Sequence, residues 1–207
     1  MGPMLLVLAA IQLPVEGGDV PRLVPSVEED YPADSDEFAL LFGAGCSLGC
    51  ALDWSYSATS SLPAIEDNSY GPENVDDIDP STAWVEGVEG WGIGESITVE
   101  FQEYPGTSYA DEDHGVNFNG MTIQNGYAKD EDTWLANGRV HELGLYLDGE
   151  LIGILELEDV MAAQTIYWDH QLDVRDGDTF EMEILSVYEG ERWQDTAISG
   201  LMYWGAH

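Results

Sequence analysis

The side chains that could do chemistry in this chain stand out by their rarity. Against 41 acidic residues there are only 5 basic ones, and Lys129 is the sole lysine. In so depleted a composition a remaining cation serves something specific. Lys129 and Arg139 could each grip a sugar hydroxyl or a carboxylate. Arg139 has a second reading, a buried ion pair with Glu86 or Glu95 that pins the glycine-rich loop. Trp91 lies between Gly90 and Gly92, neighbours too small to bury it, and offers a flat face for stacking on a sugar ring. Tyr127 and Trp134 follow in the next long loop as a second aromatic wall. Asn125, Asn137 and Glu86 are polar partners of suitable type, since an apolar patch with a few convergent polar groups is the usual small-ligand site. Trp84 reads differently. It follows an Asp/Pro/Ser turn and is expected in the core, its indole N–H satisfied locally.

Catalytic constellations are weak by comparison. Carboxylate pairs carry no weight in so acidic a chain. There is no His-Glu-x-x-His, no phosphate loop and no Gly-x-Ser-x-Gly elbow. The serines of 57–61 have no histidine nearby in sequence. Asp111-Glu-Asp-His114 could hold a metal, but a solvated polar loop is the simpler account. Cys46 and Cys50 are four apart, a spacing read as a small disulfide in an exported protein or, less readily, half a zinc site. A hydrolase therefore stays the third reading of function.

The formal net charge is -36 in 207 residues, where average composition would supply about 20 Lys and Arg. Such a field repels nucleic acid and anionic membranes. The acids are spread over every segment, which favours a surface of halophilic type over a local cation-collecting face. Salt makes that surface tolerable, because exposed charges are screened beyond a Debye length.

The elements that must position these residues are strands. Met4 to Leu13 is an apolar run too short to span a bilayer and resembles the core of a signal peptide. Residues 14–37, rich in proline and acids, read as a disordered linker. The reading divides the chain at 51/52: residues 1–51 form a disordered or processed tail, and 52–207 the folded domain. Within it Trp54–Ser61, Ser96–Phe101, Met121–Asn125, Val140–Leu147, Leu151–Leu157, Thr165–Trp168, Phe180–Ile184 and Ile198–Trp204 carry strand patterns. Asp148-Gly149 and Asp176-Gly177-Asp178 are turns between them. Eight or nine short strands with little helix predict an all-β sandwich or jelly roll. The glycine-rich stretch around Trp91 is a long ordered loop feeding the sheet.

Ser60-Ser61-Leu62-Pro63, Tyr70-Gly-Pro-Glu-Asn74 and Asp77-x-Asp79-x-x-Thr82-Ala-Trp84 together resemble the discoidin, or coagulation factor five/eight type C, family. Trp84 to Glu95, Asn125-Gly-Tyr-Ala-Lys129 and Asn137-Gly-Arg139-Val140 look more narrowly like one branch of it. That branch is the glycan-binding or translocation module attached to secreted bacterial NAD glycohydrolases. The resemblance covers about residues 52–204. It implies a galactose-binding-like jelly-roll β-sandwich, no catalysis of its own, secretion or a place in the cell envelope, and ligand contacts from loops at one end. A glycan or glycosylated surface is the expected partner, with docking or export of a partner protein as the alternative. The family also implies a structural calcium at Asp77, Asp79 and Thr82. Thr196–Gly200 has glycine where related chains often carry glutamate, and an Asx-capped turn competes with the metal.

Overall fold

The computed structural model describes residues 20–32, 48–66, 68–76, 79–105 and 115–206. Eleven strands occur among them: β1 (Arg22–Leu23), β2 (Ser26–Pro32), β3 (Leu52–Ala58), β4 (Trp84–Val85), β5 (Ser96–Glu103), β6 (Val116–Asn125), β7 (Gly138–Leu147), β8 (Glu150–Glu156), β9 (Ala162–Val174), β10 (Thr179–Tyr188) and β11 (Thr196–Ala206). One short helix, α1 (Glu131–Ala136), joins β6 to β7. The period-two patterning does what it predicts. Ile97, Val99 and Phe101 of β5 and Phe180, Met182 and Ile184 of β10 are buried, while Glu100 and Gln102 face solvent. Asp148 and Gly149 both take positive φ, 49° and 78°, and close a two-residue hairpin from β7 to β8.

Hydrogen bonding runs continuously in the order β2-β9-β6-β11-β7-β10-β5-β3, with β8 also on β7 and β4 on β11. The junction between β11 and β7 is only two residue pairs, Thr196 with Gly138 and Ala197 with Arg139. There the sheet doubles back on itself. Phe118 of β6 meets Phe180 of β10 at 5.1 Å between ring centroids and Phe101 of β5 at 5.9 Å, although these strands are not neighbours. Tyr203 of β11 likewise meets Trp54 of β3 at 5.3 Å. Contacts of this kind require two facing layers. The fold is an all-β galactose-binding-like jelly-roll sandwich, β2-β9-β6-β11 against β8-β7-β10-β5-β3.

The linker reading is corrected over residues 20–32. β1 pairs in parallel with β8, and Pro21 O accepts a hydrogen bond from Ile154 N at 2.9 Å. β2 then pairs with β9 on the opposite layer, so this segment ties together one edge of each layer. Leu23 is fully buried in the core, and Arg22 reaches Glu142 at 2.6 Å. A two-residue strand between prolines has too little periodicity to be read from sequence. Leu23→Ala is expected to cost about 2 kcal/mol, the low end for a buried leucine because the site lies on an edge. Urea unfolding measures it; an unchanged midpoint would mean residues 20–25 are not part of the folding unit. Residues 1–19 and 33–47, with the apolar run and Cys46, lie outside the described residues. Cys50 carries an exposed free thiol.

Candidate functional site

Three loops and β4 converge at one end of the sandwich around a cleft of about 410 Å³. Leu62, Ile65 and Tyr70 come from the β3–β4 connection, Val85 from β4, and Tyr127, Thr133 and Asn137 from the β6–β7 connection. Trp193 and Asp195 come from the β10–β11 loop. The walls are held from behind by backbone bonds. Leu62 N donates to Val85 O, and Val85 N to Tyr70 O. Glu191 N donates to Leu135 O, while Arg192 N and Trp193 N both donate to Ala136 O, so the last loop is docked on α1. Asp130 caps that helix, its Oδ1 accepting from Thr133 N at 2.7 Å. The aromatic wall is partly fixed: the Tyr127 hydroxyl donates to Ser81 O, and its ring meets Tyr70 edge-on at 6.5 Å. Trp193 and Ile65 stay open, at 58% and 55% exposure. Burial raises the pKa of both the Tyr127 hydroxyl and the Asp195 carboxyl.

Of the residues singled out from sequence for the ligand site, Tyr127 and Asn137 line this cleft, and six others do not. Glu86 is fully buried. Its carboxylate accepts from Val88 N (2.9 Å) and Thr196 N (3.1 Å), which staples the glycine-rich loop to β11. Burial raises its pKa, with the two backbone N–H groups pulling the other way. Gly92, at φ +65°, could carry no side chain there, since a Cβ would sit 2.4 Å from Glu86 Cγ. Trp91 is half-buried, and its carbonyl accepts from the Thr196 hydroxyl at 2.9 Å, one residue past Asp195. Its side chain is not part of the cleft wall. Asn125 is buried and exchanges two hydrogen bonds with the backbone of Val140. Lys129 is exposed and outside the cleft.

Arg139 follows its structural reading, but the partner is neither Glu86 nor Glu95. Its guanidinium forms a two-pronged pair with Asp159, at 2.9 Å through Nε and 2.9 Å through Nη2. Nη1 donates to the carbonyls of Asn137 and Glu189, and the group lies 4.7 Å from the Trp134 ring centroid. Trp134 is therefore buried structure and not an open wall, its indole N–H donating to Asn125 O. Trp84 is buried as expected, its indole donating to Ser60 O at 2.9 Å.

Ile65, Tyr70, Trp193 and Asp195 were not identified from sequence. Trp193 had a readable signal, a lone tryptophan in the polar run Glu189–Asp195.

For calcium, Asp77 lies outside the described residues. Asp79 Oδ1 accepts from Ser81 N at 2.9 Å, and Asp79 O accepts from Thr82 N and the Thr82 hydroxyl. That is the hydrogen bonding of an Asx-capped turn. Among the described residues no three His, Cys, Asp or Glu side chains gather as a metal site would need. Residues 111–114 also lie outside the described set.

A serine and a histidine do meet across β7 and β10, Ser186 Oγ lying 3.0 Å from His141 Nδ1. The Ser186 hydroxyl donates to Glu142 at 2.8 Å, so the imidazole must be the donor to Oγ. That orientation is the reverse of an activated nucleophile.

A jelly-roll sandwich with a loop-built cleft at one end is the architecture of a discoidin-type module. The chain belongs to the NAD glycohydrolase translocation F5/8 type C domain family, whose model matches residues 50–204. That family is named for translocation and not for the catalytic part. Similar solved structures include an arabinofuranosyltransferase, AftD, from Mycobacteria, at 15% identity and a TM-score of 0.46 over 72% of this chain. This chain spans only 10% of that enzyme's length. The C-terminal domain of a chitobiase from Bacteroides fragilis is similar at 17% identity and a TM-score of 0.46, covering 74% of this chain and 94% of that one. No curated protein matches. No helix among the described residues is long and apolar enough to cross a membrane.

Proposed function

We propose that this chain is a non-catalytic carbohydrate- or cell-surface-binding module of an exported bacterial protein, with its ligand in the cleft walled by Tyr70, Tyr127 and Trp193. The observation that carries this reading is the cleft itself. It combines three aromatic side chains with Asn137, Thr133 and Asp195 on loops anchored to a rigid sandwich. Its volume of about 410 Å³ lies in the ordinary range for small-ligand sites. Aromatic faces bind the apolar face of a pyranose, and a few polar groups fix its hydroxyls. Docking of a partner enzyme during export is the second reading, favoured by the family's description.

A glycan array separates them. Trp193→Ala is expected to weaken glycan binding at least tenfold, about 1.5 kcal/mol for one lost stacking face. Its stability should be unchanged, because the side chain is mostly exposed. Lys129→Ala serves as the control and is expected to bind as well as the unaltered protein. An array with no bound glycan, or one indifferent to Trp193, would overturn the carbohydrate reading in favour of the protein-docking one.

A further inference from the structure

We infer that the sugar selected by this cleft carries a free ammonium group, making it an amino sugar with the Asp195 carboxylate as its counter-charge. This rests on the carbohydrate reading above and specifies its ligand. The cleft lining contains one carboxylate, Asp195, and no lysine, arginine or histidine. Asp195 is half-buried, and the ion pairs among the described residues join Arg22 to Glu142 and Glu156, Arg139 to Asp159 and His141 to Glu156, none of them to Asp195. A partly buried carboxylate without a cation is costly, and a ligand that brings one removes that cost.

The aromatic walls act in the same direction. The faces of Tyr70, Tyr127 and Trp193 carry the negative side of the ring quadrupole and attract a cation placed over them. The acidic field at Tyr127 is reinforced by Asp79 and Asp130. A carboxylated or sulfated sugar would enter this field against repulsion, with no basic group in the cleft to receive it. A neutral sugar would gain the stacking and could donate a hydroxyl to Asp195, but would leave its charge uncompensated. The net charge of -36 adds long-range attraction for cationic polymers.

The test compares a glucosamine tetramer with its fully N-acetylated counterpart by calorimetry at about pH 6, where a free amine is protonated. The glucosamine tetramer is expected to bind at least about tenfold more tightly in low salt. That preference should shrink at about 1 M salt, where the Debye length is about 3 Å. Asp195→Asn is expected to abolish the preference while leaving affinity for the acetylated tetramer in place. The comparison of the two tetramers on the unaltered chain stands even if that variant folds poorly. Equal affinities, or a preference that survives Asp195→Asn, would overturn the inference and leave the carbohydrate reading standing. If neither tetramer binds and the array is empty, the carbohydrate reading fails and takes this inference with it.

Discussion

Phe118→Ala is expected to lower stability by about 3–5 kcal/mol, the cost of removing a large ring from a core that cannot close over the gap. Phe118 is fully buried on β6 and touches four other aromatic rings edge-on. Phe180, Trp168, Phe101 and Tyr203 lie at 5.1, 5.4, 5.9 and 6.0 Å between centroids. Phe101 and Phe180 belong to the opposite layer, so the ring works as a rivet through the sandwich. Among the described residues the layers pair strand to strand only at the two-pair junction of β11 with β7, with the β1–β2 segment tying one edge. Face-to-face packing must therefore supply most of their cohesion. Against a total of about 5–15 kcal/mol for a domain of ordinary stability, such a loss is severe. Equilibrium urea unfolding measures it, with Phe118→Leu as the reference, expected to lose less because it refills much of the volume. A loss below about 1 kcal/mol for the alanine variant would show that the layers are held together elsewhere.

The strand framework was legible because half-buried strands write their exposure into alternate residues. Ile97, Val99 and Phe101 are one such record, and Leu143 and Leu145 another. The Asp148-Gly149 turn was legible for a different reason, since two consecutive positive φ values select these residue types. The cleft was legible only in part, through Tyr127 and Asn137, because it is a product of topology. Tyr70, Tyr127 and Trp193 lie on three loops separated by dozens of residues, and only the doubled sheet brings them to one end. Small neighbours pointed instead to Trp91, and rarity to Lys129. The same limit applies to Leu23, whose burial depends on a parallel partner more than a hundred residues away.

Rarity was a sound guide to a specific role for Arg139. Of its two readings the ion pair holds, with a different partner, and the guanidinium lies outside the cleft wall. The Arg139 side chain is 6% exposed and uses Nε, Nη1 and Nη2 in hydrogen bonds. It lies behind the cleft, where Nη1 holds the carbonyl of Asn137, a cleft residue, and the carbonyl of Glu189, at the start of the loop that carries Trp193. Close packing is also demanded here. Gly126, at φ +78°, leaves room that a Cβ would remove, since that atom would lie 2.6 Å from Trp134 and 2.7 Å from Arg139 Cγ.

Arg139→Ala is accordingly expected to cost about 3 kcal/mol, the low end for breaking a buried pair because Asp159 keeps 38% exposure and can rehydrate. Two carbonyls lose their donor at the same time, and the Trp134 face loses its cover. Arg139→Lys should recover only part of the loss, because an ammonium cannot reproduce the fork that meets both Asp159 oxygens. The loss should persist at high salt, where a surface pair would already be screened. Glycan affinity of the folded fraction should fall less than about tenfold in Arg139→Ala, since the guanidinium lies outside the cleft wall. Trp193→Ala is expected to show the opposite pattern, with affinity lost and stability kept. Denaturation and binding measured on both variants therefore test the assignment together. An Arg139→Ala protein of full stability that no longer binds would return this residue to the ligand site.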